Sequence, residues 1–153
     1  MSTVRRATVV DAPVLAGLRR RWLRERGDAG DAPEAFTESF TESFTEWFAG
    51  NAATHRAYLA LAGGAPAGMA WLAVLDRVPT PARPRRRSGD VQSVYVVPEL
   101  RNGGLGAALL TAVLADARGL GLEHVTVHSS ERAVPLYLRV GFEPGERWLH
   151  WEP

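Results

Sequence analysis

The chain has 153 residues with a formal charge of +1, 46% hydrophobic and 23% charged residues, and no cysteine. That length suits a single domain over 1–153, able to bury about 70% of its unfolded surface, and the near-neutral charge argues against a domain-wide nucleic-acid surface. Disulfides, thiol catalysis and Cys-type zinc sites are excluded, and no apolar run nears the ~18 residues of a membrane span.

Met1–Arg6 has no apolar h-region, so no secretory signal is read and a cytoplasmic location is expected. Residues 2–8 read as a strand. Asp11 is a candidate N-cap for a helix with Pro13 just inside it, running to about Arg26. Gly27 to Pro33 is a Gly/Asp-rich break. Phe36, Phe40, Phe44 and Phe48 then recur every four residues with Glu38, Glu42 and Glu46 beside them, a helical and not a strand period. That helix reads as packing its Phe stripe on a sheet with the Glu stripe in water.

Arg56–Ala62 and Ala67–Leu75 read as a hairpin around Gly63-Gly64-Ala-Pro66. Residues 79–89, rich in Pro and Arg, read as an exposed loop. Its Arg85-Arg86-Arg87 run suits solvent, a phosphate contact, or more weakly nucleic acid. Val91–Val97 is a strand, and Leu105–Arg118 a helix closed by Gly119 or Gly121. Glu123–His128 is a strand, Glu131–Arg139 a helix, and Arg147–Trp151 a final strand. Trp22, Trp71, Trp148 and Trp151 are expected in the core or a subunit interface. His55, His124, His128 and His150 show no ligand spacing, so no metal site is expected.

Between Val97 and Leu105 the chain reads Pro98-Glu-Leu-Arg101-Asn-Gly103-Gly104-Leu-Gly106-Ala107. A glycine-rich turn opening directly into a helix gathers unpaired N–H groups at the positive end of the helix dipole, which suits a phosphate. By itself the turn is also explained by sterics alone.

Arg101-Asn-Gly-Gly104-Leu-Gly106-Ala resembles the (Q/R)-x-x-G-x-(G/A) pyrophosphate loop of the GNAT acyl-CoA N-acyltransferase superfamily. Ser130-Glu-Arg-Ala133-Val-Pro-Leu-Tyr137-Leu-Arg-Val-Gly141-Phe142 resembles its second hallmark. Val4–Arg19 is similar to its first strand and helix. The resemblance implies an α/β (α+β mixed sheet) GNAT-like fold: a central, mostly antiparallel sheet with two splayed parallel strands and helices on both faces. It also implies acetyl-CoA as co-substrate and no metal. In that reading Val94, Tyr95 and Val96 meet the pantetheine and acetyl end. Arg101, Asn102, Gly103, Gly104, Leu105, Gly106 and Ala107 hold the pyrophosphate, and Ser130 stands where relatives often carry a cofactor-contacting Asn.

Tyr137 falls where the family places its general acid, with a packing role as the alternative. Gln92 stands where many relatives have a basic Glu, and an amide takes no proton at neutral pH. Asp90, Glu46, His128 and Glu25 are the alternative bases. The implied activity is direct transfer of acetyl from acetyl-CoA to a primary amine of a small molecule or peptide. The alternative is a catalytically silent acyl-CoA-binding domain. Because the family's second helix lies beside the acceptor cleft, the resemblance also allows the Phe/Glu helix to wall that cleft, with Glu38, Glu42 or Glu46 attracting a cationic amine and Phe or Trp47 holding its apolar part. A homodimer is possible; no nucleic-acid or membrane partner is expected.

Overall fold

The computed structural model describes residues 1–27 and 35–153, with side chains in the second helix described from residue 38 onward. The expected break at 27–33 lies outside the described residues from 28 on, as does the Phe36 side chain. Five strands form one sheet in the order β1 (Ser2–Arg6), β2 (His55–Ala62), β3 (Ala65–Arg77), β4 (Arg86–Val96), β5 (Val125–Val127). Every neighbouring pair is antiparallel except β4 and β5. Helices α1 (Ala12–Glu25) and α2 (Ala35–Asn51) precede β2, α3 (Leu105–Gly119) joins β4 to β5, and α4 (Val134–Arg139) follows.

The sheet has a core on each face. Leu15, Leu18, Phe44 and Phe48 of α1 and α2 pack with Leu59, Met69, Trp71 and Tyr95. Leu105, Leu109, Leu110 and Val113 of α3 and Tyr137 of α4 pack with Tyr58, Leu72 and Val91. Side chains alternate along a strand, so Tyr58 and Leu59 serve opposite cores, which is why β2 and β3 read as continuous apolar runs. The expected fold is therefore present, with helices on both faces.

Several expectations need correction. Arg147–Trp151 joins no strand, and Trp148 and Trp151 are 58% and 84% exposed. A strand pattern forms a strand only where a free edge receives it. The expected loop 79–89 is shorter, because Arg86–Gly89 belong to β4 and pair with Val74–Arg77. Arg86 makes a bidentate pair with Glu123 at 2.7 and 3.0 Å, and Arg87 donates to the Leu120 carbonyl at 2.9 Å. Two of the three arginines thus fasten β4 to the segment entering β5. That segment is regular only over Val125–Val127, and Glu131–Arg139 divides into a 3-10 turn and α4. Asp11 is the N-cap residue of α1, as expected, but its carboxylate caps no α1 N–H. It instead accepts the Thr8 N–H at 2.9 Å and pairs with Arg5. Gly121, at φ +68°, and not Gly119, closes α3, with Leu122 N–H returning to the Ala117 carbonyl.

Asp116 of α3 ties that helix to β2. Its carboxylate takes two hydrogen bonds from Arg56, at 2.6 and 2.9 Å, and one from the buried Tyr58 hydroxyl. Burial alone would raise its pKa, but the Arg56 and Tyr58 hydrogen bonds outweigh it and hold the carboxyl below the usual range. A depressed carboxyl stabilises the fold above its unfolded pKa, and that stability is lost as pH falls through the folded value. Asp116→Ala, which leaves Arg56 and Tyr58 unpaired, is expected to cost about 3 kcal/mol in urea unfolding at pH 7. The deficit should shrink toward pH 3, and an equal deficit at both pH values would disprove this assignment.

Candidate functional site

The parallel pair β4–β5 is bonded only over Gly89–Val91 against Val125–Val127, after which β4 continues alone to Val96. The Val97 N–H donates to the Ala67 carbonyl at 2.9 Å. Antiparallel alternation therefore turns the N–H and C=O of Val94 and Val96 away from β3, into the gap beyond the end of β5. Consistent with this, the Val96 carbonyl receives the Arg101 Nε at 2.9 Å. A strip of β4 backbone is left open there.

Where β4 leaves β5 it also bulges. Ala70 pairs with Val94 but Leu72 with Val91, so Gln92 and Ser93 together face Trp71. Ser93 takes φ +84°, a left-handed conformation uncommon for a residue with a β-carbon.

At the end of β4 the chain turns through Pro98–Leu100 and into α3. Gly104, the N-cap of α3, sits at φ +91°, and Asn102 at φ +66°. The first α3 amide with a backbone acceptor is Ala108, bonded to the Gly104 carbonyl at 3.0 Å. Among the described residues, the successive N–H groups of Asn102 through Ala107 have no protein acceptor. A β-carbon at Gly106 would lie 3.0 Å from Leu136, so that glycine lets α3 approach α4.

Tyr137, on α4, is 7% exposed and meets Phe142 edge-on at 5.4 Å. Burial raises its phenol above the ordinary value, and its hydroxyl has no protein hydrogen-bond partner among the described residues. Gly141 at φ +110° closes α4 and delivers Phe142 to the core. Ser130 is exposed, at the start of the turn into α4. The Tyr95 side chain points to the other core. There burial first, then the neighbouring Glu25 carboxylate, push its phenol up to about 12, although its hydroxyl makes no well-formed hydrogen bond. Arg101 is held by Val96 and by Glu25 at 3.0 Å, with its guanidinium 5.6 Å from the Tyr95 ring.

On the α1/α2 face a cavity of about 290 Å³ opens beside the bulge, lined by Arg19, Phe40, Phe44, Trp47, His55, Trp71, Gln92 and Ser93. The Phe stripe of α2 packs on the sheet as the first reading expects, with Phe44 and Phe48 in the core, and Phe40 and Phe44 also border the cavity. Glu38, Glu42 and Glu46 stand exposed and do not line it. Sequence reasoning missed Arg19, His55, Trp71 and Ser93. A usable signal was the i, i+3 spacing of Arg19 and Trp22, whose ring carries the guanidinium at 4.9 Å.

Of the four alternative bases, Glu25 is engaged by Arg101, and Glu46 and His128 are exposed. Asp90 accepts from Thr126 Oγ1 of β5 at 2.8 Å and from the Gln92 amide at 3.4 Å. No cluster of three or more potential metal-ligating side chains occurs among the described residues. No helix among them is long and apolar enough to cross a membrane.

A model of the Acetyltransferase (GNAT) family matches residues 19–142. Glucosamine 6-phosphate N-acetyltransferase of Trypanosoma brucei brucei is 36% identical over 64 residues, 42% of this chain and 44% of that protein. Mycothiol acetyltransferase of Saccharomonospora viridis is 41% identical over 73 residues, 43% of this chain and 24% of that protein. The chain thus matches less than half the length of either relative. A predicted acetyltransferase from Clostridium acetobutylicum, crystallised with acetyl-CoA, superposes with a TM-score of 0.76 at 22% identity. That match covers 99% of this chain and 96% of the other, and it is a likeness of fold.

Proposed function

Because the chain belongs to the GNAT acetyltransferase family, we propose that it moves an acetyl group from acetyl-CoA directly to a primary amine of a small molecule. The observation that carries this reading is the run of unpaired N–H groups from Asn102 to Ala107, set at the end of the open β4 edge. A pyrophosphate fits the first and a pantetheine arm, with its own amides, fits the second. Bound acetyl-CoA supplies the activated thioester.

The chain's own residues then have separable tasks. Asn102 through Ala107 hold the anion, with Gly104 admitting the sharp entry to α3. The Val94 backbone pairs with the arm, and the Val96 N–H, whose own carbonyl is held by Arg101, stabilises negative charge developing on the acetyl oxygen. Tyr137 donates its proton to the departing sulfur. Asp90, fixed by Thr126 and adjoining the cavity through Gln92, takes the proton that the ammonium must lose. The amine enters from the aromatic cavity, and alignment of amine with thioester accounts for much of the rate. The two relatives are named for glucosamine 6-phosphate and mycothiol, both small molecules, which supports a small acceptor here without fixing its identity.

The test is calorimetric titration with acetyl-CoA, CoA and dephospho-CoA, followed by release of free thiol across a panel of amines. One-site binding with turnover is expected. Binding without turnover on any amine would instead favour a silent acyl-CoA-binding domain. Asp90→Asn is expected to lower kcat/KM about 100-fold at pH 7 and to leave acetyl-CoA affinity unchanged. Undiminished turnover in that variant would remove Asp90 from the base role.

A further inference from the structure

The charge lining the amine cavity has the opposite sign to what a polycationic acceptor needs. Among the described residues no carboxylate lines the cavity, and its one permanently charged side chain is Arg19. That guanidinium is only partly exposed, and among the described residues it has no carboxylate partner. Among the described residues its one hydrogen bond is from NH1 to Ser93 Oγ at 2.6 Å, and its guanidinium also stacks on the Trp22 ring. A guanidinium offers five N–H donors in a planar fork that matches a carboxylate or phosphate. Desolvation and the nearby Arg26 charge both disfavour its charged state. A desolvated cation with unused donors on a cavity wall is what an anion-binding subsite requires.

Its position adds the rest. Ser93 is the strained residue of the β4 bulge, one residue before Val94 and the open backbone where the thioester is proposed to lie. An anion held by Arg19 and Ser93 therefore lies within a few atoms of the amine to be acetylated. The remaining walls, Phe40, Phe44, Trp47 and Trp71, are aromatic. The volume of about 290 Å³ is at the small end for ligand pockets.

Resting on the acetyl-transfer reading, we propose that the acceptor is a small amino-acid-like molecule. It carries a primary amine, a neighbouring anionic group bound by Arg19 and Ser93, and an apolar or aromatic body seated against Phe40, Phe44, Trp47 and Trp71.

The test titrates the CoA-loaded protein, followed by tryptophan fluorescence and calorimetry, with matched probes. L-phenylalanine and phenethylamine differ by a carboxylate, and O-phosphoethanolamine and ethanolamine by a phosphate. Spermidine represents polycations. At least one anion-bearing member is expected to bind ten- to a hundredfold more tightly than its twin that carries only the ammonium, the range of a charge-assisted contact. Which pair shows the preference identifies the anion as carboxylate or phosphate. Arg19→Gln should erase the preference, Arg19→Lys should keep part of it, and Ser93→Ala should reduce it, all with unchanged acetyl-CoA binding. Equal affinity within both pairs, tighter binding of spermidine, or no binding of either anionic probe overturns the proposal. Loss of acetyl-CoA binding by the unmutated protein would instead strike at the acetyl-transfer reading itself.

Discussion

Gly104→Glu is expected to weaken acetyl-CoA binding by about a hundredfold or more, while Gly104→Ala weakens it far less. The two variants share one structural cost. Gly104 sits at φ +91°, where a β-carbon strains the backbone, so each should lose about 1 kcal/mol of stability. Neither meets a steric obstacle, since a β-carbon there finds nothing within 4 Å. They differ in charge. The glutamate puts a carboxylate at the α3 N-cap, among the N–H groups assigned to the pyrophosphate, and competes for them while repelling the ligand. Calorimetric Kd values with acetyl-CoA measure the difference, and urea unfolding verifies the shared cost. Equal, small effects on affinity would show that the glycine turn is architecture only.

How far the fold could be read from the sequence depended on whether an element carries its own signal. The period-four Phe repeat named α2 because each turn of that helix brings an aromatic back to the same side, and Phe44 and Phe48 are buried where that periodicity puts them. Gly141 and Phe142 were legible for the same local reason, a left-handed closure followed by a core ring. The errors arose where distant partners decide. Arg86–Gly89 looked unstructured by composition, yet Glu123, thirty-seven residues from Arg86, makes the ion pair that holds it in β4. Arg147–Trp151 has strand-like content but joins no strand of the sheet. Periodicity reports which face of an element is apolar and says nothing of whether an edge is vacant.

The candidate site divides along the same line. The glycine turn was legible because Gly104 at φ +91° and the close approach of Gly106 to Leu136 favour glycine, and among the described residues the 102–107 N–H groups have no protein acceptor. The bulge was not legible, because Ser93 adopts φ +84° without a glycine to announce it. Arg19 was hidden within the run Arg19-Arg20-Arg21. Arg21 pairs with Glu99 at 2.6 Å on the exposed side of α1, whereas Arg19 turns inward to Ser93. Helical rotation separates neighbours in sequence into different environments, and only the packing of α1 against the sheet shows which arginine reaches the cavity.

Tyr137→Phe is expected to lower kcat between ten- and a thousandfold while leaving the Kd for acetyl-CoA within about threefold of the original. The ring is 7% exposed and packs on Phe142, so phenylalanine keeps the buried shape and removes only the hydroxyl. Among the described residues that hydroxyl has no protein partner whose loss would cost stability. The sign of the pH dependence follows from the environment. Burial raises the phenol above its ordinary value of about 10, so it stays protonated through neutral pH and remains able to donate to a thiolate whose conjugate acid lies near 8.5. A proton donor fails as pH rises through its own pKa, so the alkaline fall of kcat should lie above about 10 and should disappear in Tyr137→Phe. A stopped assay of thiol release against pH, with rapid acid quench at the alkaline end, measures both. Full activity in Tyr137→Phe with the alkaline limb intact would return Tyr137 to a packing role and require another proton source for the departing sulfur.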